Sequence, residues 1–143
     1  MNESHLILTT LIQGCRHLKT GIRDGLDTAA EAALRTTLSD IMRELDSIEY
    51  EAFTVGHSRG IHFDGLPPLH HFLSNIRNRL FLHFRNKDSC IAELLIRSGV
   101  RSSICVLKLR NRLEPASDTR VSILLERYLG CIQAARRSLE EYL

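Results

Sequence analysis

The feature that most constrains this chain is one run of apolar residues between positions 34 and 55. Its members are Leu34, Leu38, Ile41, Leu45, Ile48, Ala52 and Val55. They alternate between spacings of four and three residues, which places all of them on one face of an α-helix. A long helix with one such face has to bury it against other helices, so the pattern predicts a helical bundle.

The same periodicity recurs along the chain and predicts three more long helices and a shorter one. The long helices are expected over 5–25, 28–58, 89–113 and 118–142, and the short one over 67–85. The predicted interior residues of the other long helices are Leu8, Leu11, Cys15, Leu18 and Ile22, then Ile91, Leu94, Leu95, Ser98, Ser102, Cys105 and Leu109, then Val121, Leu124, Leu125, Tyr128, Cys131, Ile132, Ala135 and Leu139.

Two local motifs are expected to set helix starts. Thr28-Ala29-Ala30-Glu31 has the Thr-x-x-Glu pattern of a capping box, in which the hydroxyl and the carboxylate bond free backbone N–H groups. Asp88 is a suitable N-cap for the helix that follows it.

The lengths of the connections predict the topology. The first two long helices and the last two are joined by short loops, so each pair is expected to form an antiparallel hairpin. The connection between the hairpins is long and can carry the chain from one end of a bundle to the other. We therefore predict an all-α fold, a ferritin-like up-down four-helix bundle with a long crossover that contains an extra helix.

Composition agrees with a single helical domain over residues 1–143. A chain of this length suits one domain, and its 8 Gly and 3 Pro are few for the many turns of an all-β sandwich. The four cysteines form no Cys-x-x-Cys pair, and we expect buried thiols in a reducing compartment. The first residues lack the basic region of a signal peptide, so we expect a cytoplasmic location.

Three segments resemble a family of bacterial ferritin-like four-helix-bundle proteins whose function is unknown. Residues 8–16, Leu-Thr-Thr-Leu-Ile-Gln-Gly-Cys-Arg, resemble the Leu-x-x-Leu-Ile-Glu of that family's first helix. Residues 21–24, Gly-Ile-Arg-Asp, match its Gly-Phe-Arg-Glu, and residues 124–129 resemble its Leu-Leu-x-x-Gln-Leu. The resemblance implies the same fold and brings no activity with it.

The ligands of a ferritin-like di-iron centre are missing from the sequence. Such a centre uses inward glutamates and two Glu-x-x-His pairs, whose spacing puts both ligands on one helix face. No Glu-x-x-His is present, and the middle of the first helix reads His17, Leu18, Lys19 and Thr20 where the similar proteins carry acidic residues. We therefore predict no di-iron centre and no bound cofactor.

A different metal site is the alternative. His57, His62, His70 and His71 crowd around the long connection, and four histidines near one loop suit a transition metal. Exposed or capping histidines on a loop are the simpler interpretation of the same pattern.

The net charge of +2 hides two oppositely charged blocks. Residues 24–51 hold eight acidic against two basic residues, and residues 65–113 hold nine basic against two acidic residues. One interpretation is that the two blocks are neighbours, in one chain or across a dimer, and form complementary rims. The other is that the basic block binds nucleic acid or an anionic membrane.

These observations predict an interaction protein and no enzyme. No phosphate-binding glycine loop and no recognisable nucleophilic arrangement occurs in the sequence, and no small-molecule substrate is indicated. The apolar face of the short helix is expected to exceed what one bundle can cover, which favours a homodimer. Its predicted contact residues are Phe72, Arg77, Phe81 and Phe84.

Overall fold

The computed structural model describes residues 3–63, 87–112 and 118–143. Their regular structure consists of four α-helices: α1 (Glu3–Thr28), α2 (Ala32–Ser58), α3 (Lys87–Arg112) and α4 (Thr119–Glu140). No strand occurs among these residues. The prediction of an all-α bundle with four long helices is therefore confirmed, while the predicted helix over 67–85 lies outside the described residues.

The four helices occupy the corners of a bundle. α1 and α4 each pack against both α2 and α3, so α2 and α3 stand at opposite corners. The carboxylate of Asp88 at the start of α3 accepts hydrogen bonds from the backbone N–H groups of Ala30 and Glu31, at 2.8 and 3.0 Å. Arg59, just after α2, forms an ion pair with Asp118, just before α4.

These contacts fix the directions of the helices. α3 begins beside the α1–α2 turn, and α4 begins beside the end of α2. Thus α1 and α4 run one way while α2 and α3 run the other, and the helices form two antiparallel hairpins as predicted. The end of α2 and the start of α3 therefore lie at opposite ends of the bundle.

The predicted apolar stripes form the core. Every predicted interior residue of α1 is buried, and those of α2 are buried apart from Ile41, which is half-buried. On α3 the prediction is wrong at Cys105, which is exposed, and Val106 is buried in its place. The buried stripe continues from Ser102 by a step of four residues, which turns the neighbouring position 105 outward. Leu109 of α3 and Cys131 and Ala135 of α4 are half-buried.

The α1–α2 turn differs from the predicted capping box. α1 continues through Thr28, whose hydroxyl donates to the carbonyl of Asp24 at 2.8 Å. The N-cap of α2 is Glu31, and its side chain makes no capping bond. The carboxylate of Asp88 in α3 accepts hydrogen bonds from the backbone N–H groups of this turn, so Asp88 is a clamp between the two hairpins. Asp88 lies within the first turn of α3 and is therefore not the N-cap of that helix.

The cysteines do not share one environment. None of the four forms a disulfide: Cys15 is buried, Cys90 and Cys131 are half-buried, and Cys105 is exposed. The prediction of four buried thiols therefore holds only for Cys15. None of the described helices is both long enough and apolar enough to cross a membrane.

Candidate functional site

The helix with most of the acidic block and the helix with the described part of the basic block do not lie side by side. α2 carries most of the acidic block, α3 carries the basic residues of the other block that the structure describes, and these helices stand at opposite corners. For these two helices the expectation that the blocks are neighbours within one chain is wrong, although Glu31 of the acidic block contacts Asp88 at the start of α3. Residues 65–86 of the basic block lie outside the described residues. The two positions beside α2 are taken by its hairpin partner α1 and by α4. Pairing of the blocks across a dimer stays a prediction.

A buried lysine of α1 pairs with the acidic residues of α2. Lys19 is only 6% exposed, and its Nζ lies 2.7 Å from Asp46 Oδ1 and 2.8 Å from Glu49 Oε2. Arg16 adds a contact of 3.2 Å between its Nε and Glu49 Oε1. Its guanidinium also lies over the ring of Phe53, 5.3 Å from the centroid. Two cations of α1 thus meet two carboxylates of α2.

The electrostatics of this cluster keep Lys19 charged. Burial by itself lowers the pKa of a lysine, because it penalises the charged form. Here the hydrogen bonds and charges of Asp46 and Glu49 outweigh that effect, and the pKa of Lys19 is raised. The ammonium group is therefore a fixed cation held between two carboxylates.

Arg127 of α4 pairs with the other edge of α2. Its Nε lies 2.9 Å from Glu44 Oε1, its Nη2 donates to Ser47 Oγ at 2.7 Å, and its Nη1 lies 3.5 Å from Glu51 Oε1. The hydrogen bond to Glu44 is the main reason that the pKa of Arg127 is raised. Cations from both neighbouring helices therefore engage the carboxylates along α2.

Sequence reasoning missed Lys19 and Arg127 as elements of the structure. From the sequence, Lys19 was notable only because it stands where the similar ferritin-like proteins carry an acidic residue. A usable signal existed, because each of these cations directly follows or precedes a residue of an apolar stripe, Leu18 and Tyr128. A long basic side chain at that edge can reach an acidic neighbouring helix while its methylenes pack on the core.

The middle of the bundle contains a buried polar pair. The phenol of Tyr128, which is fully buried, forms a hydrogen bond with the hydroxyl of Ser102. Gly14 of α1 lies directly against this pair, where a Cβ atom would meet the Tyr128 hydroxyl. Burial raises the pKa of the Tyr128 phenol and of the nearby Cys15 thiol, so both stay neutral at pH 7 and neither is an activated nucleophile.

Only two of the four histidines of the predicted metal site lie in the described part of the chain. His57 and His62 face each other edge to face, with ring centroids 6.2 Å apart, and both are exposed at the end of the bundle where α2 ends. His70 and His71 lie outside the described residues. Over 3–63, 87–112 and 118–143, no three His, Cys, Asp or Glu side chains converge as an enclosed metal site requires.

The outward side of α3 is basic and partly apolar. We call it the α3 outer face and define it by Arg97, Val100, Arg101, Ile104 and Lys108, all exposed and spaced to share one side of the helix. Val100 and Ile104 are 37% and 45% exposed. Over its whole length α3 has six basic residues against two acidic ones.

The contact residues predicted from the sequence, Phe72, Arg77, Phe81 and Phe84, lie outside the described residues, and their role stays a prediction.

In comparisons with known proteins, no protein-family model, no curated protein and no solved structure matches this chain.

Proposed function

We propose that this chain is a non-enzymatic structural or interaction protein, a four-helix bundle of ferritin-like topology whose interior holds no di-iron centre. The two antiparallel hairpins and the helix ends that the long connection joins support the topology. The family of ferritin-like proteins that the sequence resembles is part of the same proposal.

One observation carries this proposal: the carboxylates of Glu44, Asp46 and Glu49 form ion pairs with cations of the chain itself. A di-iron bundle presents glutamates from all four helices to the metal ions. Here Asp46 and Glu49 bind the Lys19 ammonium, and Glu44 binds Arg127. A positively charged side chain of the protein itself therefore neutralises each of them. These acidic residues therefore hold α2 against α1 and α4.

The core between the helices supports the same conclusion. Cys15, Leu45, Ile48 and Tyr128 are fully buried at the level where the charged clusters lie at the bundle edge. The phenol and thiol among them are neutral, because burial raises the pKa of each. Neutral, apolar surroundings disfavour a multiply charged ion unless charged ligands surround it.

The experiment is elemental analysis of the full chain purified without an affinity tag. We expect iron, manganese and zinc each well below one equivalent per chain, before and after incubation with ferrous iron under anaerobic conditions. A Lys19→Met variant is measured in parallel. Metal binding by this variant alone would show that the Lys19 ammonium keeps metal ions away from Asp46 and Glu49. Stoichiometric iron or manganese in the unaltered protein would overturn the proposal.

A second candidate function is binding to an anionic membrane surface through the α3 outer face. The observation that favours it is the combination of Val100 and Ile104 with basic side chains on one exposed side of a helix. Such a side suits the boundary between headgroups and acyl chains, whereas nucleic acid would leave the two aliphatic side chains without a role.

Vesicle co-sedimentation tests this candidate. We expect binding to vesicles with anionic phosphatidylserine, little binding to neutral phosphatidylcholine vesicles, and weaker binding at high salt. Ile104→Ser should reduce binding, while Ile123→Ser, at an exposed apolar position of α4, is the matched control. Equal losses in the two variants, or preferential binding to DNA or RNA, would rule out a membrane role for this face.

A further inference from the structure

The turn that ends α2 has a backbone geometry that glycine adopts most readily. Gly60 has a φ of +73°, and its backbone N–H donates to the carbonyl of His57 at 3.0 Å. The backbone N–H of Ile61 donates to the carbonyl of Gly56 at 2.9 Å. These two bonds form a Schellman motif, which satisfies the last carbonyls of a helix. Hydrogen bonds therefore fix the backbone between His57 and Ile61.

The residues on either side of His62 are anchored in the core. Ile61 and Phe63 are only 8% and 5% exposed. The Phe63 ring packs directly against Gly56, where a Cβ atom would overlap it, and it meets the Phe53 ring edge to face with the centroids 5.4 Å apart. With both of its neighbours turned inward, His62 is turned outward and is exposed.

This turn places two histidine rings face to edge at the end of the bundle. His57 is exposed on the last turn of α2, and its ring centroid lies 6.2 Å from that of His62. Arg59, which lies between them in the sequence, forms an ion pair with Asp118, and its Nη1 donates to the carbonyl of Val55 at 3.1 Å. Because Asp118 compensates the charge of Arg59, the repulsion between Arg59 and a cation at the histidine pair is reduced.

The spacing of the two rings suits one metal ion. An ion bonded to an imidazole nitrogen at about 2.1 Å lies about 3.2 Å from the centre of that ring. Two rings that share an ion therefore have centroids no more than about 6.4 Å apart. The 6.2 Å between His57 and His62 lies within this limit. Both side chains are exposed, so rotation about their side-chain bonds can bring one nitrogen of each ring to the ion while the backbone stays in place.

We propose that His57 and His62 bind one Cu²⁺ ion through one nitrogen of each imidazole, with water in its other coordination positions. Imidazole is a ligand that Cu²⁺, Ni²⁺ and Zn²⁺ share, and the Irving–Williams order gives Cu²⁺ the highest affinity of the three. Among the described residues no third His, Cys, Asp or Glu side chain completes an enclosed site, so the ion exchanges with solvent. The site lies on the surface and does not depend on whether the bundle interior holds iron.

The test is a titration of the full chain with Cu²⁺, followed by electron paramagnetic resonance of the bound ion. We expect one saturable site whose spectrum shows coupling to two nitrogen atoms, and Ni²⁺ and Zn²⁺ should compete only at higher concentrations. His57→Gln and His62→Gln each leave a single imidazole, so each should weaken binding by about a hundredfold. Both positions are exposed, so both variants should fold, which circular dichroism checks.

Two matched controls locate the ion. Cys105→Ser removes the exposed thiol, which is another side chain with affinity for copper, and should leave the affinity unchanged. The double variant His70→Gln, His71→Gln removes the other two histidines of the sequence-based hypothesis and should also leave the affinity unchanged.

Three outcomes would overturn the proposal. One is the absence of saturable Cu²⁺ binding by the full chain. Another is an affinity that does not change when His57 or His62 is replaced. The third is a loss of equal size in Cys105→Ser or in the His70, His71 double variant, since the ion would then be bound elsewhere. Iron in the bundle interior, which would overturn the proposed function, would leave a copper site that depends on His57 in place.

Discussion

Helix α1 contacts α2 in one way and contacts α3 and α4 in another. Toward α2 it presents long cations, and Lys19 and Arg16 reach the carboxylates of Asp46 and Glu49. Toward α3 and α4 it presents glycines: Gly14 lies against Ser102 of α3 and Tyr128 of α4, and Gly25 lies against Ile91 of α3. One interface is held at its edge by charge, and the other by close contact.

The difference shows which changes each interface can tolerate. Long charged side chains at an edge can change rotamer or take up water when a partner is altered, so damage there is limited. A backbone packed against a buried phenol has no such freedom, because interiors are close-packed and added volume must displace a neighbour. We expect the contact of α1 with α3 and α4 to be the more sensitive of the two.

The largest effect is expected from Gly14→Val. Its added atoms would overlap the buried pair of Tyr128 and Ser102, which cannot move without disrupting the core. We expect the free energy of unfolding to fall by about 3 kcal/mol. Urea denaturation followed by circular dichroism measures it. A loss below that of Lys19→Met would reverse the proposed order of the two interfaces.

Raising the pH should weaken both sides of α1. Burial raises the pKa of Cys15, and it raises that of Cys131 to about 11, above the ordinary value of 9.0, while the carboxylates raise the pKa of Lys19. Each group holds its proton more tightly in the native state. Stability is therefore complete below the pKa of the unfolded chain and is lost as the pH rises above it.

Between pH 8 and pH 10 we expect a loss of about 3 kcal/mol, most of it from the two thiols. Urea denaturation at several pH values measures the slope. The double variant Cys15→Ala, Cys131→Ala should show less than half of this loss. An unchanged slope in the double variant would show that other groups govern the alkaline transition.

A smaller effect is expected from Lys19→Met, which keeps the length of the side chain and removes its charge. Glu49 keeps Arg16 as a partner, and the Asp46 side chain is 57% exposed and can be hydrated. We expect a loss of about 1.5 kcal/mol, between the values typical of exposed and of buried pairs. Arg43→Met is the control: its side chain is 81% exposed, so its change should stay within about 0.5 kcal/mol.

The smallest effect, with the opposite sign, is expected from Gly130→Ala on α4. A Cβ atom there would meet nothing within 4 Å, in contrast to Gly14. Alanine restricts the unfolded chain and favours the helix, so stability should rise by about 0.5–1 kcal/mol. The melting temperature measures the change. A decrease would show that glycine at this position has a packing role of its own.

The sequence predicted the helices well because their apolar stripes are long and regular. The stripe from Leu34 to Val55 is buried in the structure, apart from the half-buried Ile41, and Asp118 is the N-cap that the start of the last helix requires. The predictions that failed concern single positions and turns. Cys105 and the buried Val106 are one position apart, which corresponds to about 100° around the helix. The predicted stripe of α3 contains two serines and did not distinguish these two positions.

The candidate site was harder to predict because its parts are far apart in the chain. Lys19 and Glu49 are separated by 30 residues, and Glu44 and Arg127 by 83. Sequence spacing relates residues on one helix face and does not say which face of another helix lies opposite. The clamp of Asp88 on the α1–α2 turn depends on the same missing information.

The sequence by itself determined that this protein is helical, where its long helices lie and which of their faces turn inward, because those properties follow from local periodicity and hydrophobic burial. Only the tertiary structure decided which helices are neighbours. That order puts α2 and α3 at opposite corners and gives the acids of α2 to Lys19 and Arg127. The physical reason is that pairing and packing depend on distances between segments, which periodicity along one segment does not encode.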